Sequence, residues 1–219
     1  MSSLISPLVT WRWTLLASYN KTMDSPKETT TQWSQYYAIT QVQPPSPLLL
    51  EALEYISTPG KAIDIGSGAL KDTKLLIEKS FDVTALDSEP LPIELTVGLD
   101  SSRFHPVMTS FASFDFPASK YCLANAMYSL PFNPPDSFND VFARIVASLR
   151  PGGVFCGNLF GTRDQWQLDR PRMTFHTREQ VMTLLSGLET LKLDEKEWDG
   201  STAAGTPKHW HTFDFIAKK

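Results

Sequence analysis

A buried strand that breaks at two glycines and restarts at once as a helix admits few architectures. The stretch KAIDIGSGALKDTKLL, beginning at Lys61, is such a unit. Ala62 to Ile65 read as a strand, Gly66, Ser67 and Gly68 as a tight turn, and about Leu70 to Lys79 as a helix. A turn of this kind lets a ligand approach bare backbone and the first amides of a helix. It also implies a parallel sheet, because the helix must carry the chain back before the next strand begins.

The rest of the chain repeats the alternation. PPSPLLLEALEYIS predicts a helix capped by Ser46 with Pro47 in its first turn, and Leu49, Leu50, Leu53 and Ile56 as its apolar stripe. Strands follow at DVTALD, HPVMTS, YCLANA and VFCGNLFG, and EPLPIELTVGL reads as irregular. Asp136 is expected to cap a helix running to Ser148, and Thr177 with Gln180 forms a capping box for REQVMTLLSGL. Two late strands, about 189–197 and 209–217, are joined by a loop too short for a crossover helix, so they must pair antiparallel. The expectation is an α/β, Rossmann-like, doubly wound seven-stranded sheet, with six parallel strands and a reversed final strand in a C-terminal hairpin.

Size and charge narrow the class. The 219 residues suffice for one α/β core, and the net charge of −4 advertises neither nucleic acid nor an anionic membrane. Cys122 and Cys156 sit in apolar strand-like runs and read as buried free thiols, which fits a cytoplasmic protein. Residues 1–22 fall outside the α/β pattern and read as a loosely held extension, leaving 23–219 as a single domain.

The turn itself selects the ligand. It lacks the spacing of a Walker loop, and Lys71 stands where a dinucleotide fingerprint needs its third glycine. Asp64, two residues before Gly66, would repel a pyrophosphate and suits a cationic ligand. S-adenosylmethionine, with a sulfonium and an ammonium, meets that requirement. Asp87 at the end of the second strand is placed to accept both ribose hydroxyls.

With these pieces in view, the chain resembles the class I S-adenosylmethionine-dependent methyltransferases. The matching segments are AIDIGSG, VTALD, TSFASFDFP, LANAMYSLPF and LRPGGVF, in that order. SLPF, FGTRDQW and KHWHTF make it most like the bacterial small-molecule methyltransferases of tellurite-resistance type. The resemblance implies an enzyme moving a methyl group to a small molecule, with S-adenosylmethionine as cofactor. It implies cofactor contacts from Tyr37, Asp64, Gly66, Ser67 and Gly68, and from Asp87, Ser88, Ser110, Phe111 and Asn125. Leu70 replaces a glycine frequent in relatives, and Ser110 and Phe111 stand where many carry an acid beside adenine.

The acceptor side is less determined. Parallel strands bring their carboxyl ends to the ligand, so a reversed final strand enters the sheet there with Lys208, His209 and Trp210. His209 is the first candidate for a general base, with Tyr128 and His211 behind it; a metal pair and plain packing are the competing readings of the two histidines. Arg163, Trp166, Lys208 and Trp210 are expected to border the substrate, and no metal is expected. Arg163 and Lys208 would suit an acidic metabolite methylated on oxygen, whereas a soft anionic nucleophile would need no base. A non-catalytic cofactor-binding module is the third reading. Trp33, Tyr36 and Tyr37 form a lid or pack as core, and FNPPD, which superficially resembles a motif of DNA-modifying enzymes, reads as a turn.

Overall fold

The computed structural model describes residues 29–219, so the reading of 1–22 as an extension lies outside the described residues. The chain opens with α1 (Thr29–Thr40) and α2 (Pro47–Leu53), followed by β1 (Lys61–Ile65) and α3 (Lys71–Glu78). Next come β2 (Asp82–Asp87), a 3-10 turn at Ile93–Thr96, β3 (Phe104–Met108) and β4 (Tyr121–Ala126). A second 3-10 turn at Leu130–Phe132 leads into α4 (Pro135–Ser148) and β5 (Leu149–Gly161). The chain ends with α5 (Trp166–Asp169), β6 (Phe175–His176), α6 (Arg178–Leu185), β7 (Glu189–Ser201) and β8 (Pro207–Lys218).

The sheet order is β3-β2-β1-β4-β5-β8-β7, with the two-residue β6 pairing parallel to the end of β5. β1 to β5 pair parallel, and β8 runs antiparallel to both β5 and β7. The expected hairpin and reversed last strand are therefore present, and β6 is an addition. That strand is too short to show a hydrophobic period, which is why sequence reading passes over it.

Helices cover both faces. α4 and α6 pack Phe138, Phe142, Val181 and Leu185 against one side, where Phe142 meets Phe155 and Phe155 meets Phe215 edge-on at 5.0 Å. α2 and α3 cover the other with Leu49, Ala52, Leu76 and Ile77, over Ala62, Leu123 and Cys156. Both cysteines are buried and free.

Three local expectations are corrected. The buried stripe of α2 is Leu48, Leu49 and Ala52, and Leu50 points outward, because the helix ends at Leu53 and turns by a different phase. Ser46 is the N-cap of α2, but its hydroxyl makes no cap bond and goes to Asp72 instead. Asp136 lies inside the first turn of α4, whose N-cap is Pro134; there its charge still suits the helix dipole. The Thr177–Gln180 capping box is formed in both directions.

Phe155 sits where α4 meets β8, so truncating it opens a cavity. Phe155→Ala is expected to cost about 3–5 kcal/mol of unfolding free energy, and Phe155→Leu clearly less. Urea denaturation of the two variants measures the difference.

Candidate active site

The cavities lie at the carboxyl ends of the parallel strands, around the β1–α3 turn. The turn has Gly66 at φ +74° and Gly68 at φ +49°, conformations that favour glycine. A Cβ on Gly66 would also stand 2.3 Å from the Ser129 Cβ, with Phe111 at 3.5 Å. Ser129 in turn donates to the Ile65 carbonyl at 2.5 Å. Leu70 adopts the left-handed conformation that its missing glycine would supply (φ +62°), held by its amide on the Ser67 carbonyl and by complete burial of its side chain.

A cavity of about 230 Å³ lies over β2, lined by Tyr37, Ser67, Gly68, Asp87, Glu89 and Val107 among others. Asp87 accepts hydrogen bonds from the Gly68 amide at 2.8 Å and the Glu89 amide at 3.0 Å. The Tyr37 phenol borders the same cavity, and burial followed by the Asp87 and Glu89 charges drives its pKa far up. A carboxylate offers about four lone-pair positions, so Asp87 keeps acceptor capacity toward the cavity. Ser88 and Ser110 are exposed, and neither borders this cavity. Ser110 closes its own turn by bonding Ser113.

A larger cavity of about 600 Å³ opens on the other side of the turn. Asp64 forms part of its lining and is itself buried. It accepts from Thr73 at 2.6 Å and from the Asn125 amide at 2.8 Å. Asp72 stands beside it, accepting from the Ser46 amide and hydroxyl, both at 2.8 Å, while Lys71 reaches Ser46 at 2.7 Å. Burial first, and then the neighbouring Asp72 charge, raise the Asp64 pKa from its ordinary 3.8 to about 7. Asn125 thus acts as a buried strut for the acid, without bordering either cavity.

On the β4–β5–β8 side the same cavity is bordered by Tyr128, Asn158, Lys196 and Asp214. Tyr128 holds a left-handed backbone (φ +51°), a strained state for a bulky residue. Its amide donates to Asn158 Oδ1 at 3.2 Å, Asn158 Nδ2 donates to Asp214, and Lys196 donates to Asp214 at 2.5 Å. Burial, then the Asp214 and Tyr36 charges, push the Tyr128 phenol up to about 12. At neutral pH it is a hydrogen-bond donor and not a base.

Alternation along β8 separates the four KHWH residues. Lys208, Trp210, Thr212 and Asp214 share the cavity face of the sheet, and His209 and His211 take the opposite face. The His211 ring occupies the space above Gly161, where a Cβ would meet its Nδ1 at 2.0 Å. It bonds Glu195 at 2.9 Å and receives the Arg163 amide at 3.1 Å. His209 lies between Asp199 and Glu197, which raise its pKa. Neither histidine borders either cavity, and parity turns both to the face away from Asp214. Arg163 goes with them, bonded to Glu197 at 2.8 Å and Glu195 at 3.0 Å.

Lys208 is on the cavity face but fully enclosed. Its ammonium pairs with buried Asp164 at 2.5 Å and lies 3.5 Å from the Trp210 ring centre and 4.4 Å from that of Trp166. Asp164 also accepts the Trp166 and His211 amides. The pair ties the loop after β5 to β8. Trp166 and Trp210 form its aromatic wall, which continues from Trp210 to Tyr128 and from Trp166 through Phe132 to Trp33 on α1.

The residues that sequence reading missed are Asn158, Asp214 and Lys196, with Asp72 and Glu89. Asp214 did carry a signal: it is a lone acid inside the apolar run TFDFIA. Charges in such runs are buried with a partner more often than solvated.

No protein-family model and no curated protein matches the chain. Solved structures do. The 1,6-didemethyltoxoflavin-N1-methyltransferase of Burkholderia thailandensis, solved with 1,6-didemethyltoxoflavin and S-adenosylhomocysteine, aligns with a TM-score of 0.63 at 21% identity. That alignment covers 100% of this chain and 92% of the other. TehB from Haemophilus influenzae aligns with a TM-score of 0.69 at 14% identity, over 87% of this chain and 66% of TehB. The [4+2]-cyclase SpnF aligns with a TM-score of 0.57 at 17% identity, over 78% of this chain and 79% of SpnF. The chain has the class I methyltransferase fold, a fold that also hosts a cyclase.

Two outcomes follow from this geometry. Lys208→Met leaves the Asp164 charge buried and unpaired and is expected to cost about 3–5 kcal/mol, with part of the loss recovered when Asp164→Asn is added; chemical denaturation reads both. Asp64 binds its proton more tightly in the folded protein than in the unfolded chain, so stability falls as pH rises from about 4 to about 7. In Asp64→Asn that part of the slope should vanish from a plot of melting temperature against pH.

Proposed function

We propose that this chain, built on the class I methyltransferase fold, transfers a methyl group from S-adenosylmethionine to a small-molecule acceptor. One observation carries the reading. A positive-φ glycine turn stands between an acid behind it, Asp64, and an acid at the next strand end, Asp87, and both acids border cavities.

The residues fit such a cofactor. Asp87 has acceptor capacity for the ribose hydroxyls, with the Gly68 and Glu89 amides fixing its orientation. Val107 and Leu91 offer apolar contact for the adenine in the smaller cavity, and Phe111 stands against the turn. Asp64 and Asp72 supply negative charge where an ammonium would be received, with Asn125 and Thr73 holding Asp64 in place. When bound, S-adenosylmethionine supplies an electrophilic methyl whose sulfur leaves as a neutral sulfide.

The protein's part is then alignment more than acid catalysis, since that leaving group needs no proton. Tyr128 borders the acceptor side of the larger cavity, and its phenol is a donor that orients the acceptor. His209 and His211 are withdrawn from the general-base role by their position, and Arg163 and Lys208 from substrate contact by their carboxylate partners. Methylation of an anionic metabolite through Arg163 and Lys208 therefore loses its support. A soft nucleophile that needs no base would rely on alignment alone.

Calorimetry tests the cofactor. S-adenosylmethionine and S-adenosylhomocysteine should bind, and NAD and ATP should not. Asp87→Ala should weaken binding by roughly 30- to 150-fold, the equivalent of about 2–3 kcal/mol for two lost hydrogen bonds to a carboxylate. Unchanged affinity in that variant would remove the ribose assignment. A non-catalytic module would bind the cofactor and never yield S-adenosylhomocysteine with any acceptor.

A further inference from the structure

The larger cavity has a charge pattern that bears on what can share it with the cofactor. Four carboxylates line it, Glu51, Asp64, Asp72 and Asp214, against the ammonium groups of Lys71, Lys192 and Lys196. Each lysine is already engaged: Lys71 with Ser46 and Asp72, Lys192 with Glu51 at 2.6 Å, and Lys196 with Asp214 at 2.5 Å. Once Asp64 is ionised, as a cation seated beside it favours, the lining has one formal negative charge in excess and no uncommitted cation. S-adenosylmethionine has one net positive charge, from its sulfonium, ammonium and carboxylate. With it in place the formal charges balance, and an anionic acceptor would add one uncompensated negative charge beside Asp214.

The wall opposite the glycine turn is specific in shape as well. Asp214 and Asn158 are buried, and the chain of bonds from Lys196 through Asp214 and Asn158 to the Tyr128 amide fixes all four. Asp214 and Lys196 thus present a hydrogen-bond acceptor and a donor side by side, next to the Tyr128 ring and the Met127 side chain. Thr212 lies on the same face of β8 between Trp210 and Asp214. Its hydroxyl is buried and has no partner among the described residues. Thr212 borders neither cavity, so this hydroxyl takes no part in the wall.

Resting on the cofactor reading above, we propose that the acceptor is an uncharged ring compound with an N–H or O–H beside a carbonyl or ring nitrogen. Asp214 receives its N–H or O–H, Lys196 donates to the neighbouring acceptor atom, and the ring lies against Tyr128. A cyclic amide has this edge; a carboxylate or phosphate ester does not. Asn158, also on the border, holds Asp214 and the Tyr128 amide in place.

The test uses the full chain saturated with S-adenosylhomocysteine and two matched probes, 2-quinolone and 2-oxoquinoline-4-carboxylate, titrated by calorimetry and saturation-transfer NMR. The neutral lactam should bind at least tenfold more tightly than its carboxylate. Asp214→Asn should weaken the lactam at least tenfold while S-adenosylhomocysteine affinity stays within a few-fold. Lys196 is half exposed, so Lys196→Ala will fold even if the Asp214 variant does not, and it should also weaken the lactam at least tenfold. Stronger binding of the carboxylate, no lactam binding by the loaded protein, or no effect of either substitution would overturn the proposal. Failure of S-adenosylhomocysteine itself to bind would overturn the cofactor reading instead, and this proposal with it.

Discussion

The ligand side of the molecule depends on how closely the main chain at Gly66 approaches the loop after β4. A side chain at position 66 would collide with Ser129, whose hydroxyl is bonded back to Ile65. That contact closes the β1–α3 turn against the end of β4 and sets Phe111 beside it. It also brings Tyr128, the residue before Ser129, to the border between the turn and β5. The strained backbone at Tyr128 is tolerated because Asn158 receives its amide from within the sheet. A shift of this loop would move both the wall of the larger cavity and the acid beneath it.

The second constraint is parity. β8 carries lysine, tryptophan, threonine and aspartate on one face and two histidines and two phenylalanines on the other. Its register with β5, Phe160 opposite Thr212 and Asn158 opposite Asp214, decides which set meets the ligand. Of that set only Asp214 borders a cavity, Lys208 being enclosed with Asp164. The histidines end in a charged network with Arg163, Glu195, Glu197 and Asp199 on the opposite face. Slipping the strand by one residue would exchange the two chemistries.

Burying Lys208 has a different logic. An ammonium with a carboxylate partner and three aromatic faces is compensated electrostatically, and it anchors the β5 loop without being available to a substrate. The same loop, through Trp166 and Phe132, reaches the aromatic residues of α1. A contact web of rings thus links the helix over the turn to the hairpin.

The sequence by itself determined the α/β alternation, the reversed last strand, the glycine turn and the acids at the first two strand ends. All of these are written locally, as apolar runs, glycines and a spacing that any chain of this pattern must obey. The buried thiols and the capping box at Thr177 were legible for the same reason. Only the tertiary structure decided which side of β8 faces the cavity, that Lys208 is shut in with Asp164, and that Asn158, Asp214 and Lys196 form one wall. Those outcomes depend on inter-strand register and on partners 18 to 56 residues away in sequence. A period of two tells which residues share a face, but not which face the rest of the protein will cover.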